Sequence, residues 1–144
     1  MIEQDTVKLL RECDAGIKMG VSAIDDVTDY VHNDALKKKL IHSKEEHETL
    51  KREIHNLLDQ YHDDGKEPNP VAKSMSWMKT NVKLVMDESD ATIAELMTDG
   101  CNMGVKSLNR YLNQYKAADE VSKDITKRLI QQEKSLAENM QSFL

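Results

Sequence analysis

Leu36, Leu40, Ser43, His47, Leu50, Ile54, Leu57 and Tyr61 follow one another at alternating spacings of four and three residues. A strand repeats every two residues, so a stripe that returns every three and a half is the inner face of a helix packed in a bundle. It predicts a helix over about 34–61. The stripe carries His47 at its centre, where a bundle helix normally places an aliphatic side chain. The rest of the chain obeys the same periodicity. Leu10, Ile17, Ile24 and Val31 recur every seven residues, with Val21 and Val27 on the same side, and predict a helix over about 5–32. Asp5 or Thr6 can cap its start, and the Asn33-Asp34 pair breaks the pattern and can cap the next helix. The short break makes the two helices an antiparallel hairpin.

Residues 62–70, HDDGKEPNP, hold both prolines of the chain and read as a loop. VAKSMSWMKTNVKLVM then predicts a helix over about 71–86, about 24 Å long at the α-helical rise. Asp87, Ser89 and Asp90 are cap candidates for a helix over about 89–116. Its inner positions are Ile93, Met97, Gly100, Gly104, Leu108, Tyr111 and Tyr115. A turn at Ala117, Ala118 and Asp119 leads to a last helix over about 119–143. Ile125, Leu129, Gln132, Leu136, Met140 and Phe143 face inward there. A charged fraction of 32% and an aromatic fraction of 4% agree with an all-α chain built from good helix formers. At 144 residues it forms a single domain, 1–144. Two hairpins joined by a segment that runs the length of the bundle give up-down-down-up connectivity with one long crossover.

Several function classes are disfavoured. A net charge of -6 opposes a nucleic-acid surface, and Lys37, Lys38 and Lys39 are a solvated run. No apolar stretch approaches membrane-spanning length, and the N-terminal residues lack the basic and apolar regions of a signal peptide. A cytoplasmic protein is expected. Cys13 and Cys101 are too far apart for a CxxC motif and are expected to be reduced thiols in different layers. No catalytic Ser/His/Asp set or phosphate-binding glycine loop is present, so no catalytic residue is assigned.

Three stretches carry a family resemblance: CDAGIKMGVSAIDD, rich in small residues and ending in acids; PVAKSMSWMKTNVKLV, with its Trp-Met pair; and DATIAELMTDGCNMGVKSLNRYL, with a glycine and a late tyrosine. Over nearly its whole length the chain resembles the ferritin-like superfamily, in particular a branch of small bacterial proteins of unknown function. That resemblance implies a ferritin-like four-helix bundle. Metal-binding members supply Glu from two helices and Glu-x-x-His from the other two. Here the residue three before His42 is Lys39, before His47 it is Lys44, and before His55 it is Arg52. The fourth helix has no histidine: Leu136 follows Glu133 by three. Cys101 stands where the family pattern places a Glu after the glycine. A zincin helix is excluded as well, since Lys51 stands where its second histidine would be.

The stretch HSKEEHETLKREIH is therefore read as a solvated face, with His42, Glu46, Thr49 and Glu53 outward and a Glu48–Arg52 surface pair. His47 alone points in. Counting helical rise from the two turns sets it level with Met19 and Gly20, with Cys101 to Gly104, and with Gln131 to Glu133. Two readings of this layer follow. In one, His47 is a satisfied core histidine bonded to Gln132 or Glu133, the glycines let the helices approach closely, and the chain is a structural or interaction protein, a homodimer, with no cofactor. In the other, His47, Cys101 and Glu133 hold one metal ion, zinc or iron, with Asp14 or Asp25 nearby, in a metal-binding or redox protein. Met75, Trp77 and Met78 are expected to pack on the bundle, and the eight methionines are read as core fillers.

Overall fold

The computed structural model describes residues 2–68 and 89–144. The expected helix over 71–86, with Met75, Trp77 and Met78, lies outside the described residues, as does Asp87. Four long α-helices account for most of the rest: α1 (Ile2–Thr28), α2 (Asp34–Asp59), α3 (Asp90–Gln114) and α4 (Glu120–Met140). A 3-10 turn, Gln141–Phe143, ends the chain. No strand occurs among the described residues, and no described helix is long and apolar enough to cross a membrane.

Caps set the boundaries. Asn33 accepts from the amides of Ala35 and Leu36 at 2.8 and 3.1 Å and starts α2. Ser89 accepts from Thr92 to start α3, and Asp119 accepts from Ser122 at 2.8 Å to start α4. Each supplies an oxygen to a first-turn N–H that the helix itself leaves unpaired. Asp5 and Thr6 do not cap α1, which begins at Ile2. Their oxygens instead take the amides of Ala117 and Asp119, at 3.0 and 2.8 Å, and tie α1 to the turn before α4. Asp90 works the same way at the opposite end, where its two carboxylate oxygens accept from His32 and Asn33 at 2.9 and 3.0 Å. These contacts put the starts of α1 and α4 at one end of the bundle and the starts of α2 and α3 at the other. α1 stops at Thr28, four residues short of expectation, once the Tyr30 amide bonds Val27 O and the chain turns.

Each helix turns its apolar stripe to the middle, where two clusters form. Ile24, Val27, Leu36, Leu40, Ile93, Met97, Leu136 and Met140 fill one end. Leu10, Ile17, Leu50, Ile54, Leu58, Leu108, Ile125 and Leu129 fill the other. Several inner positions differ from expectation, and Tyr61, Tyr111 and Tyr115 are only half-buried. Leu58 is buried in place of Leu57, because a straight helix of 3.6 residues per turn drifts off a strict seven-residue repeat. Gly100 faces solvent and Cys101 faces in. Gln132 is only half-buried, and Glu133 takes the central position beside it.

Candidate functional site

His47 sits between the two apolar clusters, 1% exposed. α2 presents it, and its own preceding turn fixes one side of the ring: Nδ1 donates to Ser43 O at 2.7 Å. From α4, Glu133 reaches the other side, with Oε1 2.6 Å from Nε2. The layer is closed by small residues. A Cβ at Gly20 would lie 3.5 Å from His47 Cδ2, and one at Gly104 would lie 3.4 Å from Glu133 Oε2. Cys101, buried on α3, lies close enough for the Glu133 charge to act on its thiol. Of the three candidate residues, His47 and Glu133 thus meet directly at the level that counting helical rise implies, and Cys101 is within reach of the Glu133 charge. Asp14 and Asp25 are elsewhere: Asp25 pairs with Lys44 on the surface at 2.7 Å, and Asp14 lies in a separate cluster. Gln132 turns to α2's backbone, its amide 3.5 Å from Glu46 O.

Electrostatics follow from the geometry. Burial alone would favour the neutral imidazole, but the hydrogen bond and charge of Glu133, the Ser43 carbonyl and the charge of Glu46 outweigh it and hold His47 above its ordinary range. Burial has the opposite sign for thiols. It raises Cys101 well above the thiol range, and the Glu133 charge adds to the effect. Cys13, bonded to Thr126 Oγ1 at 3.2 Å, is pushed up to about 12, chiefly by burial. Both cysteines are free and buried, and neither is activated as a nucleophile.

This donor set does not fit a di-iron centre, which needs bridging carboxylates from several helices; here a single carboxylate, Glu133, faces the imidazole. Among the described residues, no group of three or more His, Cys, Asp and Glu is placed to hold a metal ion.

A second cluster escaped the sequence reading. Asp14 is completely buried on α1. His55 Nε2 lies 2.7 Å from its Oδ1, and Lys18 Nζ and the Lys66 amide each lie 2.9 Å from its Oδ2. His55 is thus part of a polar anchor and not of a purely solvated face. Around it, Arg11 bonds Asp63 at 2.8 Å and Gly65 O at 2.9 Å, Lys18 bonds Glu67 at 2.9 Å, and Lys66 pairs with Glu12. One signal of this cluster was present in the sequence: Asp14 stands on the apolar stripe between Leu10 and Ile17, where a carboxylate must find partners. The outer face of α2 also lines a shallow open cleft with His42, Glu46, Glu53, Arg128 and Gln132, bridged by an Arg128–Glu53 pair at 2.6 Å.

No family model, curated protein or solved structure matches the chain.

Proposed function

We propose that the chain is a ferritin-like four-helix bundle of up-down-down-up connectivity without an intact di-iron site, serving a structural or interaction role in the cytoplasm as a homodimer. The observation that carries this reading is the double engagement of His47, whose ring nitrogens face Glu133 at 2.6 Å and Ser43 O at 2.7 Å. A metal ligand keeps one ring nitrogen for the metal, and a satisfied core histidine spends both on hydrogen bonds. The connectivity is supported by the end contacts: Thr6 with Asp119 at one end, Asp90 with Asn33 at the other.

The alternative, a metal-binding or redox protein with zinc or iron at His47, Cys101 and Glu133, draws on the meeting of imidazole, thiol and carboxylate in one layer. A metal there would have to displace the Nε2 proton and ionise a thiol that burial disfavours as thiolate. The two readings separate in metal content per chain, measured by mass spectrometry on protein purified without added metal and on His47→Ala. The structural reading expects no stoichiometric metal in either. Occupancy of about one ion per chain that vanishes in His47→Ala would overturn it. Sedimentation of the same preparation reads the dimer directly.

A further inference from the structure

Residues 63–67, Asp-Asp-Gly-Lys-Glu, contain no aliphatic or aromatic side chain. What holds them along α1 is polar. Asp63 pairs with Arg11 at 2.8 Å, Lys66 pairs with Glu12, and Glu67 pairs with Lys18 at 2.9 Å. Two backbone contacts add to these: Arg11 donates to Gly65 O at 2.9 Å, and the Lys66 amide donates to Asp14 Oδ2 at 2.9 Å. Arg11, Asp14 and Lys18 follow one another at one-turn spacing, so the segment tracks one face of the helix as a strap.

The strap covers Asp14. Gly65 has φ +90, and a Cβ there would collide with Asp14 Oδ2, so the backbone rests on the carboxylate only as glycine. Asp14 has no exposure in this arrangement. Its remaining partners belong to the bundle: Lys18 reaches Oδ2 from α1, and His55 reaches Oδ1 from α2. Lifting the strap therefore leaves the carboxylate paired. The two ends of the strap are fixed by other contacts, since the Asp63 amide bonds Leu58 O at 3.1 Å and Pro68 is buried. The residues between them can lift while both ends stay in place.

Strap and bundle are held by forces of different kinds. Each of the three ion pairs has one member more than a third exposed: Arg11 at 37%, Lys66 at 39% and Glu67 at 81%. Salt screens such pairs, as the Debye length falls from about 10 Å at 0.1 M to about 3 Å at 1 M. The helices are joined by two apolar clusters, whose burial does not depend on charge. We infer that residues 63–67 form an ion-latched cover over Asp14, which rising ionic strength opens while the four helices stay packed. The open form uncovers Asp14 between Lys18 and His55.

Amide hydrogen exchange on the full chain at about pH 7, corrected for intrinsic rates at each salt concentration, tests this. The Lys66 amide reads the strap, and the Leu50 amide, inside α2, reads the bundle. From about 0.05 M to about 1 M sodium chloride, the protection of Lys66 relative to Leu50 is expected to fall about threefold or more. A double variant, Glu12→Gln with Glu67→Gln, removes two of the three pairs and leaves the backbone contacts. It is expected to start from a lower ratio and to lose less of it in salt. Gly65→Ala is expected to lower the ratio about tenfold at every salt concentration, with Leu50 protection retained. A ratio that does not change with salt in the wild type overturns the proposal, because the latch is then not ionic. Lys66 and Leu50 losing protection together also overturns it, because the strap then opens only with the bundle. Equal salt dependence in the wild type and the double variant counts against it in the same way.

Discussion

Ser43 O and the Glu133 carboxylate both accept hydrogen bonds, so an imidazole between them satisfies each only by carrying two protons. That is why His47 is held above its ordinary value of 6.5 despite being buried. The sign of the linkage follows. A group whose folded value is raised stabilises the fold in full below its unfolded value, and the contribution is lost as pH rises through the folded value. His47→Gln keeps a side chain of similar reach and removes the titration. It is expected to destabilise by about 2 kcal/mol near pH 6, with the gap to wild type shrinking as pH rises through the folded value of His47. Urea unfolding at a series of pH values checks this, and a gap that is constant or widens with pH would contradict a protonated His47. Cys101 needs no charge in this scheme: burial and the Glu133 charge both keep its thiol protonated.

At the scale of elements, the helices are held to one another through their ends as much as their faces. Asp119 shows this most clearly: its side chain caps α4 through Ser122, and its own amide is bonded by Thr6 of α1. Asp119→Ala removes the cap and leaves the amide contact, so a loss of about 1 kcal/mol is expected by thermal or urea unfolding, against a few tenths for Asp119→Asn. A loss in Asp119→Asn as large as in Asp119→Ala would mean that charge, not capping geometry, is what matters there. The caps of α2 and α3, and most inner positions of α2, α3 and α4, were legible because they depend on neighbours within a few residues; Asp119 read only as part of a turn, and caps α4. The central layer was legible too, since rise along two hairpins fixes which residues share a level. What was not legible depends on distant partners. Asp5 and Thr6 look like caps of α1, yet they accept from residues 112 and 113 positions away. Asp14 meets the loop 52 positions on, through a glycine whose φ the sequence does not print.

For the whole molecule, the consequence of the central layer is that the apolar core of the described residues comes in two pieces. The clusters around Leu40 and Ile54 are separated by Ser43, His47 and Glu133, and the glycines beside them add no side chain to bridge the gap. A buried ion pair contributes little net stability, because desolvating both partners offsets their attraction, while breaking it leaves one charge stranded. Glu133→Met alone should therefore destabilise the bundle by about 3 kcal/mol, with His47 left without its carboxylate. Adding His47→Leu joins the two clusters into one continuous core, and Cys101, freed from Glu133, packs as a small apolar side chain. The double variant is expected to match or exceed wild-type stability at neutral pH and to lose the pH dependence of His47. Urea midpoints of the wild type, the single and the double variant read this directly, provided the slopes agree. If the double variant is as unstable as the single, the layer's worth lies in packing that Leu and Met do not reproduce. If it is stabilised, the polar layer reduces stability, and its contribution is to fix which helix levels meet. An apolar seam would tolerate helices sliding by a turn, whereas His47 finds Glu133 at one register only.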